Sequence, residues 1–225
     1  MSKKVVILGD SIARGIVFNE EKNRYTRLED DCVSRIAEMS SDLEIRNLAS
    51  MGRTCADALA VLESTDIRSG DYVVVEYGGN DSDMQWKQIA DSPDTRHEAR
   101  VPLPLFTQSI AALVERIRAK GAVPVLTTPL PVDAERYFSW ITRSLDPSAV
   151  LRWLGDVQHI YRWQERYANA VRKIASVKSV ALIDMRDAFL SCDNFADLLC
   201  SDGIHPNRNG HDVLYRTAVP FVSMA

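Results

Sequence analysis

Three residues from opposite ends of the chain carry the side chains of a nucleophile, a base and an acid. Ser11 follows the first apolar run of the sequence, and Asp202 and His205 lie close together near the other end. A serine hydroxyl is a weak nucleophile at neutral pH and needs a base within hydrogen-bond reach. His205 can be that base, and Asp202 can fix the imidazole tautomer and stabilise its charged form. These residue types point to nucleophilic attack on a carbonyl group, as in acyl transfer.

Two further segments carry groups that can stabilise the negative charge formed in such an attack. Residues 47–54 include Gly52, and residues 78–81 include Asn80. We expect the backbone N–H groups of Ser11 and Gly52 and the side-chain amide of Asn80 to form an oxyanion hole. Glycine permits close backbone approach at position 52, and asparagine is a neutral donor at a position where a carboxylate would repel the developing charge.

Each of these segments follows a predicted strand or lies in the last loop. The pattern predicts strands at 5–8, 43–48, 72–77, 123–127 and 180–183, and helices at 27–38, 56–62, 106–119, 157–175 and 209–218. Apolar strands that alternate with helices are typical of a parallel sheet covered on both faces. The carboxyl ends of such strands meet at one edge, where open α/β sheets bind ligands. The segments are therefore predicted to form one site.

Length and composition predict one globular domain over residues 1–225. Hydrophobic residues make up 46% of the chain and charged residues 26%, and no linker or repeat interrupts it. The net charge of −4 argues against a nucleic-acid-binding protein. The four cysteines form no CxxC pair, which indicates reduced thiols and no metal site. Since neither a signal sequence nor a run of about 18 apolar residues is present, we expect a cytoplasmic protein without a membrane span.

Two connections, at about 82–105 and 129–158, are too long to be simple turns and are interpreted as insertions. They contain Trp86, Trp140 and Trp153. These side chains are candidates for a partly apolar wall or lid that binds substrate. The alternative is a separate apolar cluster that only holds the insertions in place. The sequence leaves both interpretations open.

The four segments together resemble the sequence blocks of the SGNH hydrolases, also called the GDSL esterase and lipase family. The GDS serine, the glycine, the G-x-N-D asparagine and the D-x-x-H pair correspond to Ser11, Gly52, Asn80, and Asp202 with His205, in the family's order. The resemblance implies a three-layer αβα sandwich with a flavodoxin-like five-stranded parallel sheet. It also implies ester hydrolysis without a metal or an organic cofactor. One departure is Ala49, where many relatives have glycine.

The sequence thus predicts a serine esterase that acts through an acyl-enzyme on a small-molecule ester. The expected substrate is a small acyl group on a carbohydrate or another small alcohol. Two alternatives remain open: a longer-chain acyl hydrolase of the lysophospholipase or thioesterase type, and a non-catalytic protein that binds a glycan or lipid on the same fold. Acyl transfer to an acceptor other than water and the oligomeric state are also left open.

Overall fold

A five-stranded parallel sheet forms the centre of the computed structural model, which describes residues 3–39 and 43–224. The strands are β1 (Lys3–Gly9), β2 (Ile16–Asn19), β3 (Arg24–Arg27), β4 (Leu43–Asn47), β5 (Tyr72–Glu76), β6 (Val123–Thr127) and β7 (Ala181–Ile183). The order in the central sheet is β4-β1-β5-β6-β7, with every neighbouring pair parallel. This is the strand order of flavodoxin-like folds, and the predicted fold class is confirmed.

Helices cover both faces of this sheet. They are α1 (Cys32–Ala37), α2 (Cys55–Glu63), α3 (Gly79–Ser82), α4 (Trp86–Asp91), α5 (Leu103–Ala119), α6 (Ala134–Ile141), α7 (Pro147–Leu154), α8 (His159–Lys178), α9 (Met185–Leu190) and α10 (Arg208–Met224). Helix α5 packs against α2 and α8, and α10 packs against α1 and α9.

Alternate side chains of β1 enter the two apolar layers. Val6 and Leu8 are fully buried among side chains from α2, α5 and α8. Val5 and Ile7 point to the opposite face, where they pack near Val33 of α1. Because successive side chains of a strand point to opposite faces, a strand covered on both sides must be apolar throughout. This explains the unbroken apolar run that precedes the serine.

An antiparallel hairpin of β2 and β3 precedes α1 and overlaps the helix predicted at 27–38 only at Arg27. Phe18 and Tyr25 face each other across this hairpin, with ring centroids 5.3 Å apart. The helix, α1, begins only at Cys32, because the Asp31 carboxylate accepts hydrogen bonds from the first free N–H groups of that helix. The predicted helix was therefore wrong over residues 27–31.

The two long connections carry short helices of their own. Helix α4 lies in the first, and α6 and α7 lie in the second. Helix α4 packs on α7, and α6 packs on α8. The connections continue from the carboxyl ends of β5 and β6, which places them beside the edge of the sheet that carries the predicted site residues. Among the helices of residues 3–39 and 43–224, none has the length and apolar character needed to cross a bilayer.

The end of α8 gives a stability prediction. Ser179 follows the helix in the left-handed conformation, with φ 50° and ψ 54°. This conformation costs an L-residue about 1–2 kcal/mol, whereas glycine adopts it freely at an entropic cost of about 0.5–1 kcal/mol. We therefore expect Ser179→Gly to stabilise the protein by about 0.5–1 kcal/mol and to raise Tm in thermal unfolding.

Ser191→Gly is the matched control, because Ser191 ends α9 in the right-handed conformation, with φ −78°. It should leave Tm unchanged or lower it. If both variants lowered Tm equally, the prediction that left-handed strain at Ser179 destabilises the protein would be wrong.

Candidate active site

The turn after β1 presents Ser11 at the carboxyl edge of the sheet. The Asp10 carboxylate accepts the N–H of Ile12 at 2.9 Å, and the Ser11 carbonyl accepts the N–H of Ile16 at 2.9 Å. These bonds close a tight turn immediately after the strand ends. The Ser11 side chain is consequently held in place at the wall of a cavity.

The last loop of the chain brings His205 and Asp202 to the same place. His205 Nε2 lies 2.9 Å from Ser11 Oγ, and His205 Nδ1 lies 2.6 Å from Asp202 Oδ2. The other carboxylate oxygen of Asp202 accepts the N–H groups of Ile204 and His205 at 3.1 Å each. Asp202 thus both builds the turn that carries the imidazole and contacts the imidazole itself.

The electrostatics of Asp202 determine which ring nitrogen of His205 carries the proton. Burial by itself would raise the pKa of this carboxyl group. The hydrogen bond and charge of His205, with the two backbone N–H groups, outweigh burial and lower the pKa of Asp202. Asp202 is therefore an ionised acceptor at neutral pH, and the proton of a neutral His205 belongs on Nδ1. Nε2 is then free to accept the proton of the Ser11 hydroxyl.

The predicted oxyanion donors lie at the same cavity. Ser11, Gly52 and Asn80 all line it. The Asn80 amide nitrogen donates to Asp10 Oδ2 at 2.9 Å, which leaves its second N–H free for another acceptor. Gly52 has a φ of +78°, a conformation that favours glycine.

Two carboxyl groups, those of Asp10 and Glu76, lie beneath the turn that carries Ser11. The sequence did not predict that they form a pair. Glu76, at the end of β5, accepts the N–H groups of Asp10 at 3.1 Å and Ala13 at 3.3 Å through one oxygen. Burial raises the pKa of Asp10 to about 6. Burial, and next the charge of Asp10, raise the pKa of Glu76 well above its usual range. Each carboxyl group is therefore harder to ionise than it would be in water, and the charge of Asp10 disfavours a second charge on Glu76.

Tyr25 is a second residue that the sequence analysis missed, because the hairpin that carries it was not predicted. Its ring lies 5.0 Å from the ring of His205, centroid to centroid. Burial raises the pKa of Tyr25, and so do the charge of Asp202 and a hydrogen bond to that carboxylate. The β2–β3 hairpin thus packs a phenol against the acid and base of the site.

The three candidate tryptophans occupy two different environments. Trp86 and Trp153 line a cavity of about 210 Å³ that also reaches Ser11 and His205. Trp140 is not among the residues that line this cavity in the part of the chain that the structure describes. It packs instead on Phe18 and Tyr25, at centroid distances of 4.5 and 6.3 Å.

A polar network fixes the wall of this cavity. Asp83 Oδ1 accepts a hydrogen bond from Trp86 Nε1 at 2.8 Å and another from the Tyr137 hydroxyl at 2.7 Å. All three residues line the cavity. The two insertions are therefore tied to each other through one carboxylate at the wall of the cavity.

His211, six residues after His205, has a different environment from Asp202 and His205. Its Nδ1 accepts the backbone N–H of Cys32 at 3.4 Å, and burial lowers the pKa of His211 to about 4. Within residues 3–39 and 43–224, no group of three or more histidine, cysteine, aspartate or glutamate side chains is arranged to hold a metal ion.

Solved structures similar to this one cover almost the whole chain. A lipase/acylhydrolase from Enterococcus faecalis is 18% identical, with a TM-score of 0.65 over 99% of this chain and 96% of that one. Axe2, an acetylxylan esterase from Geobacillus stearothermophilus, is 22% identical, with a TM-score of 0.64 over 98% of this chain and 94% of that one. A member of the lipolytic protein G-D-S-L family from Veillonella parvula is 12% identical, with a TM-score of 0.67 over 99% and 100% of the two chains. At these identities the likeness shows a common fold.

Comparison of the sequence with known families identifies the family of the chain as well as its fold. No curated protein matches the chain. The model of the GDSL-like lipase/acylhydrolase family, however, matches residues 7–213, a span that runs from within β1 to within α10 and contains all of the predicted catalytic segments. The chain therefore belongs to the GDSL-like lipase/acylhydrolase family and is a carboxylic ester hydrolase.

Proposed function

We propose that this enzyme hydrolyses its ester through an acyl-enzyme formed on Ser11. The observation that carries the proposal is the 2.9 Å separation between Ser11 Oγ and His205 Nε2. Ser11 Oγ attacks the carbonyl carbon while Nε2 accepts the hydroxyl proton. The oxyanion of the tetrahedral intermediate accepts hydrogen bonds from the backbone N–H groups of Ser11 and Gly52 and from the Asn80 amide.

Collapse of the intermediate breaks the bond between the acyl carbon and the alcohol oxygen. His205 gives its proton to the departing alcohol, which leaves the acyl group on Ser11. A water molecule then attacks this acyl-enzyme while His205 accepts one of its protons. The bond between the acyl carbon and Ser11 Oγ breaks, His205 returns the proton to Oγ, and the acid is released. Asp202 keeps the imidazole oriented and stabilises its charged form in both halves of the reaction.

For the substrate, we propose a small acyl group on a carbohydrate or another small alcohol. The cavity beside Ser11 combines the aromatic side chains of Trp86 and Trp153 with the Asp83 carboxylate. Aromatic faces and a hydrogen-bond acceptor suit a hydroxylated ring better than a purely apolar chain. The likeness in fold to an acetylxylan esterase agrees with this substrate class.

One observation favours the second candidate, a longer acyl chain. An apolar cavity of about 100 Å³ lies under the nucleophile turn, and it shares Ile12, Glu76 and Leu130 with the cavity of the candidate active site. An acyl chain that reached this space from Ser11 would have to displace the side chains that the two cavities share. Activity on p-nitrophenyl esters of increasing acyl length therefore distinguishes the two substrate classes.

The first test concerns the nucleophile and the base. Ser11→Ala and His205→Ala should each lower kcat on p-nitrophenyl acetate by a factor on the order of 10⁶, because the two side chains act as one unit. For the same reason the double variant should be little worse than either single one. The measurement is steady-state kinetics on purified variants whose Tm is compared with that of the wild type.

A Ser11→Ala protein that kept a tenth of wild-type activity would exclude the acyl-enzyme. Labelling by a fluorophosphonate probe gives an independent check, because it requires an activated serine hydroxyl. The non-catalytic alternative predicts no labelling of the wild type.

A second test addresses the oxyanion hole. Asn80→Ala should reduce kcat roughly 10²–10³-fold with a smaller change in KM, because its N–H is needed most in the transition state. Asn80→Asp, of nearly the same size, should be at least as slow, since a carboxylate repels the oxyanion. An unchanged kcat with a raised KM in Asn80→Ala would instead make Asn80 a residue that binds the substrate.

The third test uses the different environments of the tryptophans. Trp86→Ala and Trp153→Ala remove apolar surface from the cavity, worth roughly 25 cal/mol per Å². We expect at least one of them to change the preference among p-nitrophenyl esters from acetate to octanoate, mainly through KM. Trp140→Ala is the matched control and should keep the wild-type preference, because Trp140 does not line the cavity in the described part of the chain.

Thermal unfolding of the same three variants separates substrate binding from support of the fold. If Trp86→Ala and Trp153→Ala lowered Tm but kept the wild-type preference, the insertions would serve only as scaffolding.

A further inference from the structure

We propose that Arg100 is a positioning residue for two of the three proposed oxyanion donors, Gly52 and Asn80. The third donor, Ser11, lies in the turn after β1. The Arg100 guanidinium donates one hydrogen bond to the carbonyl of Gly52 at 3.0 Å and another to Asn80 Oδ1 at 3.3 Å. This inference rests on the proposed function, since it assigns a role within the proposed oxyanion hole. Arg100 belongs to the first insertion and lies in none of the segments that resemble the family's sequence blocks.

At Asn80, Arg100 completes a clamp on the side-chain amide. The amide nitrogen donates to the Asp10 carboxylate at 2.9 Å, and the amide oxygen faces the Arg100 guanidinium. An amide turned by half a rotation would point its NH₂ group at the guanidinium and its oxygen at the Asp10 carboxylate. Both contacts would be repulsive, so this pair of charges selects the orientation in which an N–H remains free for the oxyanion.

At Gly52, the hydrogen bond from Arg100 restrains a backbone segment that side-chain packing leaves free to move. A side-chain carbon placed on Gly52 would meet no atom within 4 Å, so this turn has open space on that side. The neighbouring Met51 is exposed. The hydrogen bond from Arg100 to the Gly52 carbonyl therefore limits rotation of a loosely packed segment, and with it the direction of the Gly52 N–H.

The backbone of Arg100 is itself firmly held. Its N–H donates to the carbonyl of Asp83 at 2.8 Å, and the N–H of Val101 donates to the carbonyl of Asp81 at 3.0 Å. The Val101 carbonyl accepts the hydroxyl of Tyr167 at 2.8 Å in the buried core. The insertion is thus fixed to the short helix α3, which carries Asn80, and the guanidinium extends from a fixed backbone to both donors.

Removal of the Arg100 side chain should change the free energy of unfolding only slightly. Arg100 is an exposed residue, and hydrogen bonds of exposed charged groups contribute little to the free energy of unfolding. A shift of the catalytic donors by about 1 Å, in contrast, can cost up to ~10²-fold in rate. Loss of Arg100 should therefore reduce catalysis without unfolding the protein.

The experiment is a double-mutant cycle between Arg100→Ala and Asn80→Ala, with p-nitrophenyl acetate as the substrate. Arg100→Ala alone should lower kcat by ~10–100-fold while KM changes little. In the Asn80→Ala background the same substitution should cost clearly less, because one of its two targets is already lost. Arg100→Lys should recover only part of kcat, since an ammonium group cannot reproduce the planar fork of a guanidinium.

Arg96→Ala is the matched control. Arg96 lies in the same insertion, is exposed and pairs only with the nearby Glu98 in the part of the chain that the structure describes. This variant should keep the wild-type kcat. Guanidinium ion added to Arg100→Ala should raise its kcat and should leave Arg96→Ala unaffected, a response that a merely structural role would not give.

Three results would overturn the proposal. Arg100→Ala could behave like Arg96→Ala, it could raise KM with kcat unchanged, or its kcat loss could be equally large in the Asn80→Ala background. If Arg100→Ala does not fold, Arg100→Lys and Arg100→Gln are subject to the same criteria. Failure of the proposed function is recognised separately, because Ser11→Ala would then keep its activity whatever Arg100 does.

Discussion

The contact between Ser11 and His205 is the constraint on which the rest of the structure depends. It joins a turn at the start of the chain to a loop near its end, and a hydrogen bond of 2.9 Å leaves little tolerance. The sheet provides that accuracy on one side, because β1 lies between β4 and β5 and is hydrogen-bonded along both edges. On the other side Asp202 provides it by accepting backbone N–H groups within its own loop.

Three carboxyl groups beside this contact have pKa values that their surroundings shift in opposite directions. Asp202 has enough donors to remain ionised in spite of burial. Asp10 and Glu76 lie close together, and burial raises the pKa of both. Glu76 accepts two backbone N–H groups of the turn that carries Ser11, and the charge of Asp10 disfavours its ionisation. Low dielectric and close spacing oppose a charge on both Asp10 and Glu76, since two adjacent carboxylates would repel each other strongly.

The sequence was informative where local pattern and tertiary packing act in the same direction. Unbroken apolar strands and the amphipathic α5 and α8 allowed the sheet and its main helices to be predicted. Ser11 and Asn80 lie together at the sheet edge, because parallel strands leave little choice of where their ends meet. His205 is brought to the same place by the last loop, as the sequence analysis expected. The hairpin was missed because Phe18 and Tyr25 are stabilised by contact with Trp140, a residue far away in sequence.

Arg100 and Tyr25 could not be found from sequence for the same physical reason. Each is one of many arginines or tyrosines in the chain, and neither lies next to a strand end or within a recognisable spacing. Their contacts with Asn80 and His205 depend on how the first insertion and the β2–β3 hairpin fold back over the sheet edge. The sheet thus fixes where the side chains of the candidate site meet, and the irregular segments above it determine how tightly each side chain is held. Since such segments can change without disturbing the sheet, they are where enzymes built on this fold have the most freedom to differ in rate and in substrate.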